Sequence, residues 1–205
     1  MEKVLKWLAG LGCLGILIFM GYFVISFLSI AGMFDADYSI TELKEHFELK
    51  KTEIYELKRY FKSIVPKDKS VYIEFDGDNT LNRFGFSNLA DDRYEGGVAE
   101  WDIDTDTKHT DSLIQPLGWD RTTLIKLKEK LDAADCIGIS SREPTEINFK
   151  RCGMGMYSFI VFDKPMNDSL KAQYNDGCTF IYVNSRLALE YGGGAIGGQC
   201  FYNLK

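Results

Sequence analysis

Histidine is nearly missing from this chain of 205 residues: His46 and His109 are the only two, and neither has a metal-ligand partner or a nucleophile at a useful spacing. That leaves no Ser-His-Asp or Cys-His arrangement to build on. The five cysteines form no Cys-x-x-Cys, which removes a zinc site of the usual spacing. Nothing recurs at a fixed period, so a solenoid is excluded. A basic surplus is absent as well, with 30 acidic residues against 24 basic ones. Without Glu2, Lys3 and Lys6 the remainder carries 29 acidic and 22 basic residues, a poor composition for nucleic acid or anionic lipid, whose binding is driven by Lys and Arg. No motif calls for a cofactor.

Charge is also absent from one long stretch. Between Lys6 and Asp35 the only ionisable side chains are Cys13 and Tyr22. The 28 residues Trp7 to Phe34 are almost all apolar, and as a helix at ~1.5 Å per residue they span ~42 Å, enough to cross a ~30 Å hydrocarbon core. A cleaved signal peptide has an apolar core of only ~7–15 residues, so the run reads as a retained single-pass signal-anchor. Lys3 and Lys6 lie on the short side, whereas Asp35 and Asp37 open the other. The positive-inside tendency then places residues 1–6 as a cytoplasmic tail and residues 35–205 outside the cell membrane, with the bilayer as partner of 7–34.

Ser39-Ile40-Thr41-Glu42 has the capping-box pattern, and Leu43, Phe47, Ile54, Leu57, Phe61 and Ile64 follow at helical spacing up to Pro66. This predicts a juxtamembrane helix within 35–66 whose apolar stripe packs on a sheet, a short coiled coil being the alternative. The remaining residues, 67–205, suit one domain. Alternation of Val71, Ile73, Phe75 with Tyr72, Glu74, Asp76, and of Ala99, Trp101, Ile103 with Glu100, Asp102, Asp104, predicts half-buried strands. Phe84-Gly85-Phe86 is a weaker strand candidate. A helix is expected from the cap Asp120 to about Ala134, and a short one at Asp168–Tyr174. Strands follow at Cys136–Ser140, Thr145–Arg151, Met156–Phe162, Thr179–Val183 and Leu187–Tyr191, with a last one at Cys200–Tyr202. Links this short demand antiparallel neighbours, so the fold class is α+β: an N-terminal transmembrane helix, then an antiparallel, mostly meandering sheet with one or two packed helices. Cys136, Cys152, Cys178 and Cys200 permit two disulfides, or four thiols acting as small hydrophobes.

Several segments invite a chemical reading. Phe75-Asp76-Gly77-Asp78-Asn79-Thr80 closes a strand with Asp-x-Asp-x-Thr, which resembles the first motif of the haloacid dehalogenase-like phosphotransferases. The resemblance implies Asp76 as nucleophile and Asp78 as acid/base with a divalent metal, and Ile137-Gly138-Ile139-Ser140 resembles that family's second motif. The family's later acidic pair falls at Phe162-Asp163-Lys164, where the pair is missing, and its fold needs a parallel sheet. Asp102-Ile103-Asp104-Thr105-Asp106 has alternating acids, but an EF-hand needs Gly and Glu where Thr107 and Leu113 stand. The glycines of 192–198 lack the following Lys and helix start of a phosphate loop.

Charge segregation is the remaining signal. Glu74 to Asp111 carries 11 acidic residues against Arg83, Arg93 and Lys108. An acidic field raises encounter rates with a cationic protein. The sequence therefore points to a membrane-anchored, non-catalytic binding domain that engages a basic protein through Glu100, Asp102, Asp104 and Asp106, as an immunity-type inhibitor or envelope accessory protein does. The alternatives are a metal-dependent phosphotransferase or phosphatase on Asp76 and Asp78, and a structural protein that self-associates through helix 39–65.

Overall fold

The computed structural model describes residue 16 and residues 18–26, 37–89, 97–192 and 197–201. Of the apolar stretch 7–34, residue 16 and residues 18–26 are helical; the rest of the transmembrane expectation lies outside the described residues. Among those residues no helix is long and apolar enough to cross a membrane.

The chain runs α1 (Ile40–Leu49), α2 (Lys51–Ile64), β1 (Lys69–Asp76), β2 (Thr80–Asn88), β3 (Val98–Asp104), α3 (Lys108–Ile114), a 3-10 turn at Gln115–Leu117, and α4 (Arg121–Ala133). It continues with β4 (Gly138–Ser140), β5 (Thr145–Cys152), β6 (Gly155–Val161), α5 (Asp168–Gln173), β7 (Phe180–Asn184) and β8 (Leu187–Gly192). The strands form one eight-stranded sheet in the order β3-β2-β1-β4-β5-β6-β8-β7, and every neighbouring pair is antiparallel. The α+β class and the antiparallel sheet are as the sequence predicts. Two meanders, β1-β2-β3 and β4-β5-β6, meet side by side at β1 and β4, and the helical segment α3–α4 carries the chain between them.

Helices cover one face. Leu43 and Phe47 of α1, Ile54, Leu57 and Phe61 of α2, and Leu124, Leu127 and Leu131 of α4 pack on Ile73, Phe84, Ile139, Ile147, Phe159 and Leu189 of the sheet. Each such side chain contributes about 1.5–3 kcal/mol by leaving water. The stripe on α1 and α2 is thus part of the domain core. Both expected caps form: Ser39 accepts from the Glu42 amide in a capping box, and Asp120 accepts from the Thr123 amide. The expected single helix is interrupted at Lys50, whose backbone leaves helical geometry at φ −105° and ψ 16°. There Lys50 Nζ donates to the Ala133 carbonyl at 3.0 Å, capping the C-terminal end of α4. Trp119 Nε1 donates to the Ile64 carbonyl at 2.8 Å and closes α2 in the same manner.

Strand β3 departs from simple alternation. Asp102 takes a left-handed φ of 54°, and Leu81 pairs with Ile103 while Arg83 pairs with Trp101. Against β1, β2 holds one extra residue, Asn82, and Asp102 of β3 lies opposite it with the β2–β3 register unbroken, so the irregularity runs through both strands. The bulge puts Glu100 on the helix side with Ile103 and turns Trp101 to the other face, so Glu100 and Asp104 do not share a surface. Cys200 and Phe201 form no strand; Phe201 N donates to the Cys178 carbonyl at 3.1 Å, and Tyr202 lies outside the described residues. Cys178 and Cys200 form a disulfide, while Cys136 is buried, Cys152 is half-buried, and neither is in a disulfide among the described residues.

Candidate functional site

The second face of the sheet has helical cover only at one end, where Leu170 and Tyr174 of the α5 segment pack on Ile160, Phe162, Met166 and Ala188. Beyond that patch the face carries a buried polar network beside Ala99, Trp101 and Met156. Glu74 of β1 is 1% exposed, and three partners hold its carboxylate. Arg151 of β5 reaches it with Nε at 2.5 Å and Nη2 at 2.8 Å, Tyr72 donates its hydroxyl at 2.7 Å, and Asn82 donates its amide at 2.7 Å. Asn148 then donates to the Tyr72 oxygen at 2.9 Å and accepts from Ser158 at 3.1 Å. Burial first, and the Glu74 charge second, push the Tyr72 phenol well above its ordinary range. Gly138 makes this floor possible: a Cβ there would stand 2.7 Å from the Ile73 carbonyl and 3.1 Å from Asn148 Nδ2.

Above this satisfied floor lies a cleft of about 390 Å³, bordered by Tyr72, Arg83, Arg142, Glu146, Arg151 and Glu190. Its size is that of a small-molecule site. The Arg83 guanidinium lies over the Tyr72 ring at 4.9 Å and is 6.0 Å from the Trp101 ring. Among the described residues nothing accepts a hydrogen bond from Arg83, and nothing donates one to Glu146 or Glu190. Burial raises the Glu146 carboxyl, opposed by Arg83 and Arg142. Burial, with a smaller push from Glu146, lifts Glu190 to about 7.

The residues singled out from the sequence gather at another place, the end of the sheet where β1 turns into β2. The Asn79 carbonyl accepts from both the amide of Thr105, at 2.9 Å, and its hydroxyl, at 3.1 Å. This ties the turn carrying Asp76 and Asp78 to the end of β3 carrying Asp104 and Asp106. All four carboxylates, and Asp102 beside them, are exposed. Local cations answer some of them: Lys128 contacts Asp78 at 3.2 Å, and Arg121 pairs with Asp106 and, at 2.6 Å, with Asp111. Glu100, on the helix side, meets His109 at 2.6 Å. Asp76 and Asp78 stand on a solvent-exposed hairpin turn whose strand has antiparallel neighbours on both sides, unlike the parallel sheet that the phosphotransferase resemblance implies. No group of three or more potential metal ligands occurs among the described residues.

The cleft was not anticipated from sequence. Glu74 reads as one of the wet-face residues of an alternating strand, and Arg151, Glu146 and Glu190 reach that face from strands far along the chain. The available signal was Tyr72 and Glu74 on the same face of a strand otherwise dense in core residues. No family model, no curated protein and no solved structure matches this chain.

Proposed function

We propose that the protein is a membrane-anchored, non-catalytic binding domain that engages a basic protein partner through the acidic end of its sheet. The pairing of Asn79 with Thr105 carries this reading, because it collects exposed aspartates from two separated segments into one patch. Lys128 and Arg121 are the local counter-charges, and they answer Asp78, Asp106 and Asp111. Asp76, Asp102 and Asp104 keep the potential outward-facing and negative. Inhibition of a basic secreted toxin, in the manner of an immunity protein, and accessory work in the envelope both suit such a surface. The anchor is supported by the apolar run and by the exposure of Ile18, Phe19, Tyr22, Phe23 and Ile25 on residues 18–26. The Cys178–Cys200 disulfide suits an oxidising compartment and supports placing the domain outside the cytoplasm.

The test replaces Asp102, Asp104 and Asp106 together by Asn, a residue that tolerates the left-handed backbone of position 102. Basic proteins recovered with the full chain from its native envelope should associate more slowly as salt rises, because the Debye length shrinks from ~30 Å at 0.01 M to ~8 Å at 0.15 M. The triple variant should lose them. Recovery of the same proteins with the same salt dependence overturns the acidic end as the docking surface. Release of the chain from membranes by carbonate washing overturns the anchor.

A further inference from the structure

On the face that the α5 segment covers only at one end, the cleft has polar groups of both signs without a hydrogen-bond partner among the described residues. In its floor the Glu74 carboxylate already has Arg151, Tyr72 and Asn82 and is not open to a ligand. The walls differ. Arg83 lies over the Tyr72 ring at 4.9 Å and 6.0 Å from the Trp101 ring, a stacked position that suits a guanidinium presented to a carboxylate. Glu146 and Glu190 enter from strands on either side of β6, opposite Ile160 and Ser158 respectively. Half-buried carboxylates with no donor are costly for a domain that gains nothing from them.

We propose that this cleft binds a small zwitterion, an α-amino acid or short peptide, with its ammonium group held by Glu146 and Glu190 and its carboxylate held by Arg83. The ligand supplies the donors that the two glutamates lack and the acceptor that Arg83 lacks. Arg142, which donates to Ser70 Oγ at 3.3 Å, also borders the cleft. Two opposite charges within one cleft of about 390 Å³ select against pure cations and pure anions, since each leaves one wall unanswered. The groups that set the protonation of Glu190 are Glu146 on β5 and, from α5's C-terminal cap, Tyr174, whose phenol is itself raised by burial and then by Glu190 and Glu146. Glu146 in turn faces Arg83, Glu74 and Arg142. A bound ammonium drives off the proton that Glu190 holds below neutrality. For a carboxyl titrating at about 7, affinity should therefore rise more than tenfold between pH 5.5 and pH 7.5.

The experiment titrates the detergent-solubilised full chain by calorimetry with the free L-amino acids and two short peptides, alongside N-acetyl and methyl-ester derivatives of each. Free amino acids and peptides separate the two sources of the same chemistry, and saturable binding by either supports the assignment. Capping the amine or the carboxylate should weaken binding at least tenfold. Glu190→Gln should weaken it similarly and flatten the pH dependence, and Arg83→Lys should bind less tightly while keeping the pH profile. Circular dichroism melts of the variants guard against loss of fold, and the capped ligands test the same point on the unmodified protein. Absence of binding by every zwitterion at millimolar concentration overturns the proposal, as does equal binding of free and capped forms. Neither result bears on the acidic end of the sheet.

Discussion

At the scale of single residues the strongest commitment in the molecule is Glu74. Its carboxylate is 1% exposed, and the charge is sustained by Arg151 together with two neutral donors. Replacing Glu74 by Gln leaves a partly buried guanidinium without its counter-charge and strands the Tyr72 hydroxyl. Breaking such a pair costs about 3 kcal/mol. Urea unfolding should show that loss for Glu74→Gln, and Glu74→Gln combined with Arg151→Met should recover part of it, so that the double-mutant cycle returns a coupling of about 1 kcal/mol or more. Additive losses would mean that the two side chains act separately.

At the scale of elements, β3 shows how a local backbone choice redirects whole side chains. Asp102 sits at φ 54°, where a β-branched residue is strongly disfavoured and glycine is at ease. Asp102→Val should destabilise the domain by roughly 1–2 kcal/mol and Asp102→Gly by much less, read from thermal melts. Equal effects would remove the bulge as the reason for the residue. The same bulge explains what the sequence could and could not show. Hydrophobic spacing located α4, nearly every strand, and α1 with α2 as one helix, because core contacts dominate those segments, and the caps Ser39 and Asp120 are short-range chemistry. The turn of Trp101 onto the cleft face depends on one positive φ that no periodicity reveals. Helix α3 escaped notice because its cap, Thr107, follows an acidic run that reads as strand and loop. The cleft escaped because its walls come from β2, β5 and β8, whose adjacency is a property of the strand order.

At the scale of the whole molecule, two carboxyls pull stability in opposite directions along the pH axis. Glu190 is raised to about 7 in the folded state from an ordinary 4.5, so the native form binds more protons than the unfolded chain between those values. Stability should fall as pH rises from about 4.5 to about 7, by an amount of order 2 kcal/mol. Asp163 behaves oppositely: burial opposes its charge, but Lys62 and Lys58 hold its carboxyl well below the usual range, so its contribution disappears as pH drops below about 4. Thermal melts across pH should place the optimum on the acid side of neutrality, and Glu190→Gln should remove the decline towards pH 7; an unchanged decline would assign it to another group. Segments far apart in sequence converge on Tyr157. The Tyr157 ring on β6 stacks on Tyr191 at 4.2 Å and touches Phe201, and its hydroxyl is held by Asp37. Tyr38 packs edge-on against the same ring. Residues 37 and 38 and the distant Phe201, next to the disulfide-bonded Cys200, thus meet on one side chain, so that loss of the Tyr157 ring would loosen both segments at once.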